Sequence, residues 1–370
     1  MMSQLFWFLG LVVVLYVVWS VYLAMVMKWE DEETVGLGYY GRTRALRDSY
    51  KKTLRRHAFF LRPILLVNSR LSKLDFRRAR ILHDGVSAPS GSCSADSFAK
   101  AVTYAPGAED VFVVTQMKCG TTWMQNVVYE VLLRGKGTLV DSGQAMYAIS
   151  PWIEGRKSVT LEDAPRIGDE RPSRIIKTHL PAKLCPFSAD AKYIYVARHP
   201  VSCFASCIDF IDTNVGGMAP GIPAFEEWFT ARELMWWGTW TDHVRGWWSL
   251  SQEQSNVLFL FFEDMKKDLP GVVRQVASFL GVAPLTEAEA AEVVRKCSFA
   301  YMQEFQDNFE MHPPHILQTN AALFVSGTAD RYKHVPAEVR QRIAQWAAHE
   351  LDGSDFPLAK AYPDVVEKGA

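Results

Sequence analysis

The chain has 370 residues and a mass of 41.8 kDa, with 49% hydrophobic residues, 22% charged residues and a formal net charge of −1. That length allows one large or two ordinary domains, and the near-neutral charge gives no support for a nucleic-acid-binding protein. Six cysteines, Cys93, Cys119, Cys185, Cys203, Cys207 and Cys297, form no CxxC pair and have no His cluster beside them; this counts against zinc and fits free thiols in a reducing space, or at most one bridge.

Leu5 to Met27 is apolar, broken only by Gly10 and Ser20. As a helix it spans about 35 Å at ~1.5 Å rise per residue, the length of one membrane crossing. Trp7 and Trp29 lie near its ends, as interface aromatics do. A signal peptide would have a shorter apolar part, a basic front and a small-residue cleavage site. Here no Lys or Arg precedes the run, and Met25-Val26-Met27 does not suit cleavage. The reading is therefore an uncleaved transmembrane anchor over residues 5–27. Lys28, Arg42, Arg44 and Arg47 follow it, so the positive-inside rule puts the large C-terminal part in the cytoplasm. The chain holds no Asn-x-Ser/Thr sequon, which is compatible with that; a Golgi-type lumenal body is the alternative.

Residues 42–80 form a basic belt, from Arg42 through Lys51, Lys52, Arg55 and Arg62 to Arg80, with Leu46, Tyr50, Leu54, Phe59, Leu61 and Leu65 recurring through it. Two arrangements fit equally: helices lying on an anionic membrane face, or helices packed on the body with a solvated outer side. Pro63 is expected to separate two helices. Ser87 to Ser97 is rich in small residues and reads as a linker. Residues 28–97 are thus assigned to juxtamembrane helices and linker, and 98–370 to the globular domain.

Within that domain Val111–Thr115 reads as a buried strand, followed by a tight loop and a helix from about Thr121. Gly120 permits the turn, and Thr121 or Thr122 can cap the helix. Backbone N–H groups and a helix N-terminus then converge on one point, which suits an anion, and Lys118 adds a cation there. Lys118 precedes Gly120, so the Walker order is absent. Further along, Arg174–Thr178 reads as a strand with His179 at its end, and Lys192–Ala197 as a strand with Arg198 after it. A helix is expected over Val201–Phe210, a Trp-heavy helical region over Ala231–Leu250, a strand over Asn256–Phe262 and a helix over Pro270–Leu280. The alternation predicts an α/β fold: a parallel central sheet with helices on both faces, preceded by the transmembrane helix. Ligands in such sheets sit at the carboxyl ends of strands, where Lys118, His179 and Arg198 all fall. The cluster Trp228, Trp236, Trp237, Trp240, Trp247 and Trp248 is assigned to core, and His199, His243 and His315 receive no role. A closing amphipathic helix is expected over Val335–Leu351 with Trp346 inward.

This ordered set resembles the sulfotransferase family, whose members take a sulfuryl group from 3′-phosphoadenosine 5′-phosphosulfate (PAPS). Met117-Lys118-Cys119-Gly120-Thr121-Thr122-Trp123 is similar to the family's PKSGTTW loop. Lys177-Thr178-His179-Leu180-Pro181 matches KTHLP, and Arg198 to Ser206 matches RNPxDxxxS. Phe262-Glu263-Asp264-Met265-Lys266 matches YEDM(K), Cys297-Ser298-Phe299 matches TSF, and Trp237 to Leu250 looks like WxxHVxxWWxLS. The resemblance implies a P-loop-like sulfotransferase fold, with His179 as base, Lys118 neutralising charge on the bridging oxygen, and Lys177 helping to place the transferring group. It implies donor contacts from Lys118, Cys119, Gly120, Thr121, Thr122 and Trp123, from Arg198 and Ser206 at the 3′-phosphate, and from Phe262 and Phe299 beside adenine, with Trp123 and Phe299 able to sandwich it. No metal is required by this chemistry.

The chain departs from the family at three places. Cys119 stands for the loop Ser and donates a weaker hydrogen bond. Phe262 stands for Tyr and lacks its hydroxyl. The family's Arg-Lys-Gly appears as Val325-Ser326-Gly327; Ser326 and Gly327 remain as 3′-phosphate donors, the cation is lost, and Arg331 or Lys333 is a substitute. A weaker donor grip is the expectation. The anchor and the aromatic-rich Phe204–Trp240 region suggest an apolar alcohol, phenol or lipid as acceptor. The rival readings are a catalytically weak or inactive membrane-bound nucleotide-binding protein on the same scaffold, and a nucleotide kinase. Tyr332-Lys333-His334-Val335 resembles the family's dimer motif only faintly and fixes no oligomeric state.

Overall fold

The computed structural model describes residues 2–318 and 335–369. Helix α1, Met2–Thr34, contains the expected apolar run. Its large side chains from Leu5 to Val18 are exposed, while Leu23, Val26 and Glu30 are buried. Helix α2, Arg44–Leu71, starts at Thr43, whose side chain accepts the Leu46 N–H. The expected break at Pro63 is absent, and α2 runs through it. Proline forfeits one intrahelical bond, but Leu61 and Ile64 are buried on either side, and that tertiary contact holds the helix together.

The basic belt packs on the body along one face. Tyr50, Leu54, Leu61 and Ile64 are buried. The Tyr50 hydroxyl donates to the Pro314 carbonyl at 2.9 Å, and Lys51 pairs with Asp307 at 3.2 Å and Glu310 at 2.7 Å. Leu46, Phe59, Phe60, Leu66 and Leu71 stay exposed on the outer side. The two helices meet where Trp29 stacks on Tyr50 at 5.2 Å and the Tyr22 hydroxyl bonds His57 Nδ1 at 2.7 Å.

An antiparallel hairpin follows, β1 (Arg80–His83) with β2 (Val86–Pro89). Helix α3, Ala95–Val102, begins at Ser94 in a capping box with Ser97. The expectation of a linker over 87–97 is therefore corrected. Ser87 Oγ donates to the Leu234 and Met235 carbonyls, and the Ser87 carbonyl accepts the Trp237 N–H. Small polar residues serve linkers, caps and packed turns alike, so composition did not separate them.

The sheet elements are β3 (Asp110–Val114), β4 (Arg174–Thr178), β5 (Lys192–Ala197) and β6 (Val257–Phe261), all parallel in the order β4-β3-β5-β6. Helix α4 (Thr121–Leu132) follows β3, and α5 (Pro200–Val215) follows β5. Next come α6 (Ile222–Thr230) and α7 (Trp240–Glu253), then, after β6, α8 (Phe262–Lys267), α9 (Leu269–Leu280), α10 (Glu287–Lys296) and α11 (Phe299–Glu304). The chain closes with α12 (Ala337–Glu350), α13 (Leu358–Ala361) and α14 (Pro363–Gly369). Alternate strand residues feed two cores. Phe112, Val114, Tyr193 and Tyr195 face α5, α7 and α12, while Val113, Ile175, Ile194 and Leu260 face α4 and α9. Each such buried aliphatic side chain contributes about 1.5–3 kcal/mol.

Register aligns the strand ends. Val114 lies beside Thr178 and Tyr195, and Ala197 beside Phe261. The loops that carry Lys118, His179, Arg198 and Phe262 therefore leave one rim. The Trp-heavy region expected to be helical over Ala231–Leu250 divides instead. A turn separates α6 from α7, with Trp237 at φ 61° and Gly238 at φ 89°. Thr239 then starts α7 by accepting the Asp242 N–H. Trp346 of α12 packs edge-on against Phe229 at 5.7 Å.

Candidate active site

The loop after β3 is held open by backbone geometry. Lys118 has φ 65° and Gly120 φ 101°, conformations that disfavour side chains. A Cβ at Gly120 would sit 2.7 Å from Phe262 Cδ2. The loop thus needs a bare glycine so that the ring at the end of β6 can close over it. Gly120 is the residue that caps α4, so free helix N–H groups face the space beside it. Arg198 braces the loop by donating Nη1–H to the Lys118 carbonyl at 2.7 Å, and its guanidinium lies 4.6 Å over the Phe262 ring. Its buried Nε has no hydrogen-bond partner among the described residues. An orphaned guanidinium donor in a cavity wall suits an anionic group. Lys118 Nζ lies 4.5 Å over the Phe210 ring.

His179 is oriented from three sides. Its Nδ1–H donates to the Thr115 carbonyl at 2.9 Å, which leaves Nε2 as the basic nitrogen. Thr115 Oγ1 lies 3.3 Å from Nδ1 and bonds Thr121 Oγ1 at 2.6 Å. Trp152 and Trp237 flank the ring at 5.7 and 4.7 Å. Burial, followed by the nearby Lys177 charge, holds the imidazole well below its ordinary range, so it is neutral near pH 7. Lys177 donates to the Tyr147 hydroxyl at 2.8 Å, and its Nζ stands 3.6 Å over the Trp152 ring. Burial pushes this ammonium down to about 7, opposed by the Glu154 carboxylate.

Two supporting residues carry no signal that sequence reasoning assigned. Glu154 is fully buried; it accepts the His179 N–H at 2.7 Å and the Thr178 hydroxyl at 2.9 Å. It sits in a loop without motif, and nothing in its neighbours points to it. His243 donates Nε2–H to the His179 carbonyl at 2.9 Å and accepts from the Tyr195 hydroxyl at 2.9 Å. Burial lowers its pKa to about 4, so it works as a neutral ring. Its signal was available in the spacing of Trp240, His243 and Trp247, which share one face of α7. Trp240 Nε1–H donates to the Arg198 carbonyl at 2.9 Å and Trp247 Nε1–H to the Leu180 carbonyl at 3.2 Å. One helix face therefore fixes the loops of both Arg198 and His179.

Around these groups lies a cavity of about 1010 Å³. Lys118, Gly120, Thr121, Thr122, Trp123, Lys177, His179, Arg198, Ser206, Phe262 and Phe299 all line it. Ser202 and Ser206, one turn apart on α5, both reach it. Trp123 donates to the Cys297 carbonyl at 2.7 Å and meets Phe262 edge-on at 5.4 Å. Cys119 differs from the expectation of a donor-binding side chain. Its thiol is fully buried 3.6 Å from the Cys203 sulfur, so any donor contact there is through the backbone. The core assignment of the Trp cluster holds, with Trp248 partly buried against the core; Trp236 and Trp237, themselves buried, also line the cavity because the turn before α7 carries them to its wall. Ser326, Gly327, Arg331, Tyr332, Lys333 and His334 lie outside the described residues.

A sulfotransferase domain family model matches residues 108–355. Guinea-pig (Cavia porcellus) 3-alpha-hydroxysteroid sulfotransferase is 33% identical over 231 residues, 61% of this chain and 77% of the relative. Human (Homo sapiens) Sulfotransferase 1C2 is 30% identical over 273 residues, 70% of this chain and 89% of the relative. Among solved structures, mouse sulfotransferase SULT7A1 complexed with PAP superposes with a TM-score of 0.55 at 21% identity, over 79% of this chain and 100% of that one. Retinol dehydratase with androsterone and PAP gives 0.57 at 20% identity, over 79% of this chain and 98% of that one. The family match spans the sheet and the loops that leave its carboxyl rim, and by it the chain belongs to the sulfotransferase family.

Proposed function

We propose that this sulfotransferase moves a sulfuryl group from PAPS to the hydroxyl (or amine) of an apolar or lipid-like acceptor, with His179 as base. The observation that carries this reading is the Nδ1–H bond from His179 to the Thr115 carbonyl. It leaves Nε2 unprotonated beside a cavity that Lys118, Lys177 and Arg198 also line. His179 takes the acceptor proton on Nε2. Lys118 offsets charge on the departing phosphate oxygen, and Lys177 places the transferring group. The donor supplies an activated sulfur on a phosphate leaving group. The fit on this chain rests on the orphaned Arg198 Nε and on the glycine cradle under Phe262. Arg198 and Ser206 hold the 3′-phosphate, with Ser326 and Gly327 as further contacts. The α4 N-terminus holds the 5′-phosphate. Trp123, Phe262 and Phe299 enclose adenine.

The solved relatives bound to PAP, and one of them to androsterone, support both halves of the reading. The exposed apolar part of α1 supports a single-pass anchor over residues 5–27, with the domain from 98 to 370 in the cytoplasm by the charge rule and the Golgi lumen as alternative. Labelled PAPS with a panel of alcohols, phenols and amines tests the activity. His179→Ala should lower kcat by about a thousandfold or more while PAP binding by calorimetry stays within about twofold. Equal loss of PAP binding would assign His179 to binding instead.

A further inference from the structure

The cavity extends past the rim to α1. Met27, Glu30, Asp31 and Thr34 form part of its wall, beside Tyr50 of α2. Asp31 and Glu30 are adjacent carboxylates treated in opposite ways. Asp31 is paired with Arg156 at 2.9 Å and Lys157 at 4.0 Å. Glu30 is 7% exposed, and its Oε1 has no hydrogen-bond partner among the described residues. Its backbone is fixed, since the Thr34 hydroxyl donates to the Glu30 carbonyl at 2.6 Å. Met27, Met311, Ile316, Leu317 and the Tyr50 ring give the same cavity apolar lining, with Lys157, His312 and His315 among its polar groups. A buried acceptor atom without a donor is costly and rare, and here it belongs to the lining of the site's own cavity.

We propose that Glu30 is a specificity-determining residue for the acceptor. Its Oε1 accepts a hydrogen bond from a second polar group, a hydroxyl or an amine, on an acceptor whose body is apolar. The acceptor is then a bifunctional amphiphile. One end presents the hydroxyl that is sulfated, and the other is read by the last turns of the N-terminal helix. Burial holds the Glu30 carboxyl up at about 7, opposed by Lys157, which also lines the cavity; near neutrality the group is part acid and part carboxylate, so a neutral hydroxyl and a cationic amine are both admitted. This rests on the reading of the cavity as the sulfuryl-transfer site.

The test uses the full-length chain in detergent, labelled PAPS and three matched ladders: alkan-1-ols, α,ω-diols and ω-amino alcohols, from hexane to hexadecane backbones. At one backbone length the diol or amino alcohol should exceed the mono-ol in kcat/KM by about tenfold or more, mostly through KM. Glu30→Leu should erase that preference. Glu30→Gln keeps a carbonyl acceptor, so it should keep the diol preference and lose the amino-alcohol one. PAP binding by both variants serves as the folding control; if Glu30→Leu fails it, the diol-to-amine ratio of Glu30→Gln decides. Equal use of mono-ols and diols overturns the proposal, as does a preference unmoved by Glu30→Leu. An enzyme that binds PAP and sulfates no member of the ladders also overturns it, leaving the donor site intact. Absence of PAP binding by the wild type overturns the site reading and this inference together.

Discussion

The carboxyl rim of the sheet and the wall built by α1 and α2 serve one cavity, yet they are made in different ways. The rim is assembled from loops whose positions the strand register dictates, and each carries a compact motif. The wall is assembled from helix faces that touch the body through scattered contacts: Tyr50 to Pro314, Lys51 to Glu310, Asp31 to Arg156. At the rim, one atom out of place removes chemistry. Along the wall, losing one contact removes stability or selectivity. Substitutions in the two regions should therefore fail in separable ways.

At the rim the sharpest variant short of the base itself is Gly120→Ala. Alanine would have to adopt φ 101° and place its Cβ 2.7 Å from the Phe262 ring. Strain of about 1–3 kcal/mol follows, which is about five- to 150-fold in PAP affinity. Calorimetry with PAP measures it, with thermal unfolding as control. Unchanged affinity would mean that the loop does not have to close under Phe262.

Along the wall the matching variant is Arg47→Met. Arg47 is 1% exposed and donates to the Arg42 carbonyl at 2.8 Å and the Gly143 carbonyl at 2.9 Å. Methionine keeps the apolar stem and removes both charge-assisted bonds, for about 2 kcal/mol of stability. Thermal unfolding should shift down by a few degrees while PAP affinity stays put. A large loss of PAP affinity without a change in unfolding would collapse the distinction between the regions.

The same contrast explains what the sequence made legible. The strands RIIKT and KYIYVA and the residues just beyond them could be read directly, because β-branched and aromatic runs end sharply at polar residues whose position the register then fixes. Arg198 and His179 therefore fall on one rim from the sequence alone. Glu154 was not legible, because its role depends on a loop that returns beside β4, where the Lys177 N–H donates to the Pro151 carbonyl at 2.8 Å. The packing of α2 is not legible, since Leu and Tyr at helical spacing suit a membrane surface and a protein surface equally. Ser87 looked like linker for the same reason: small polar residues do not reveal whether a neighbour satisfies them. That Trp237 reaches the cavity as well as the core is not legible, because sequence does not show a left-handed turn at a tryptophan.

Lys177 gives the smallest expected effect and the one that ties chemistry to packing. Burial lowers its pKa to about 7, against about 10.4 for the unfolded chain. His179 is held well below its usual range, so it stays in its basic form and adds no acid limb near neutrality. If the Lys177 charge helps to place the sulfuryl group, kcat/KM for PAPS should fall above pH 7, by about tenfold per unit at the steepest. Stability should move the other way. Between about pH 7 and 10.4 the unfolded chain binds a proton at Lys177 that the folded chain does not, so unfolding free energy rises with pH over that window. Activity and stability thus diverge through one amine. Lys177→Arg keeps the cation at every pH, so it should remove the alkaline limb and the matching rise in stability together. A limb that persists in Lys177→Arg would belong to another group, and the buried amine would then be a packing element of β4 with no part in the transfer.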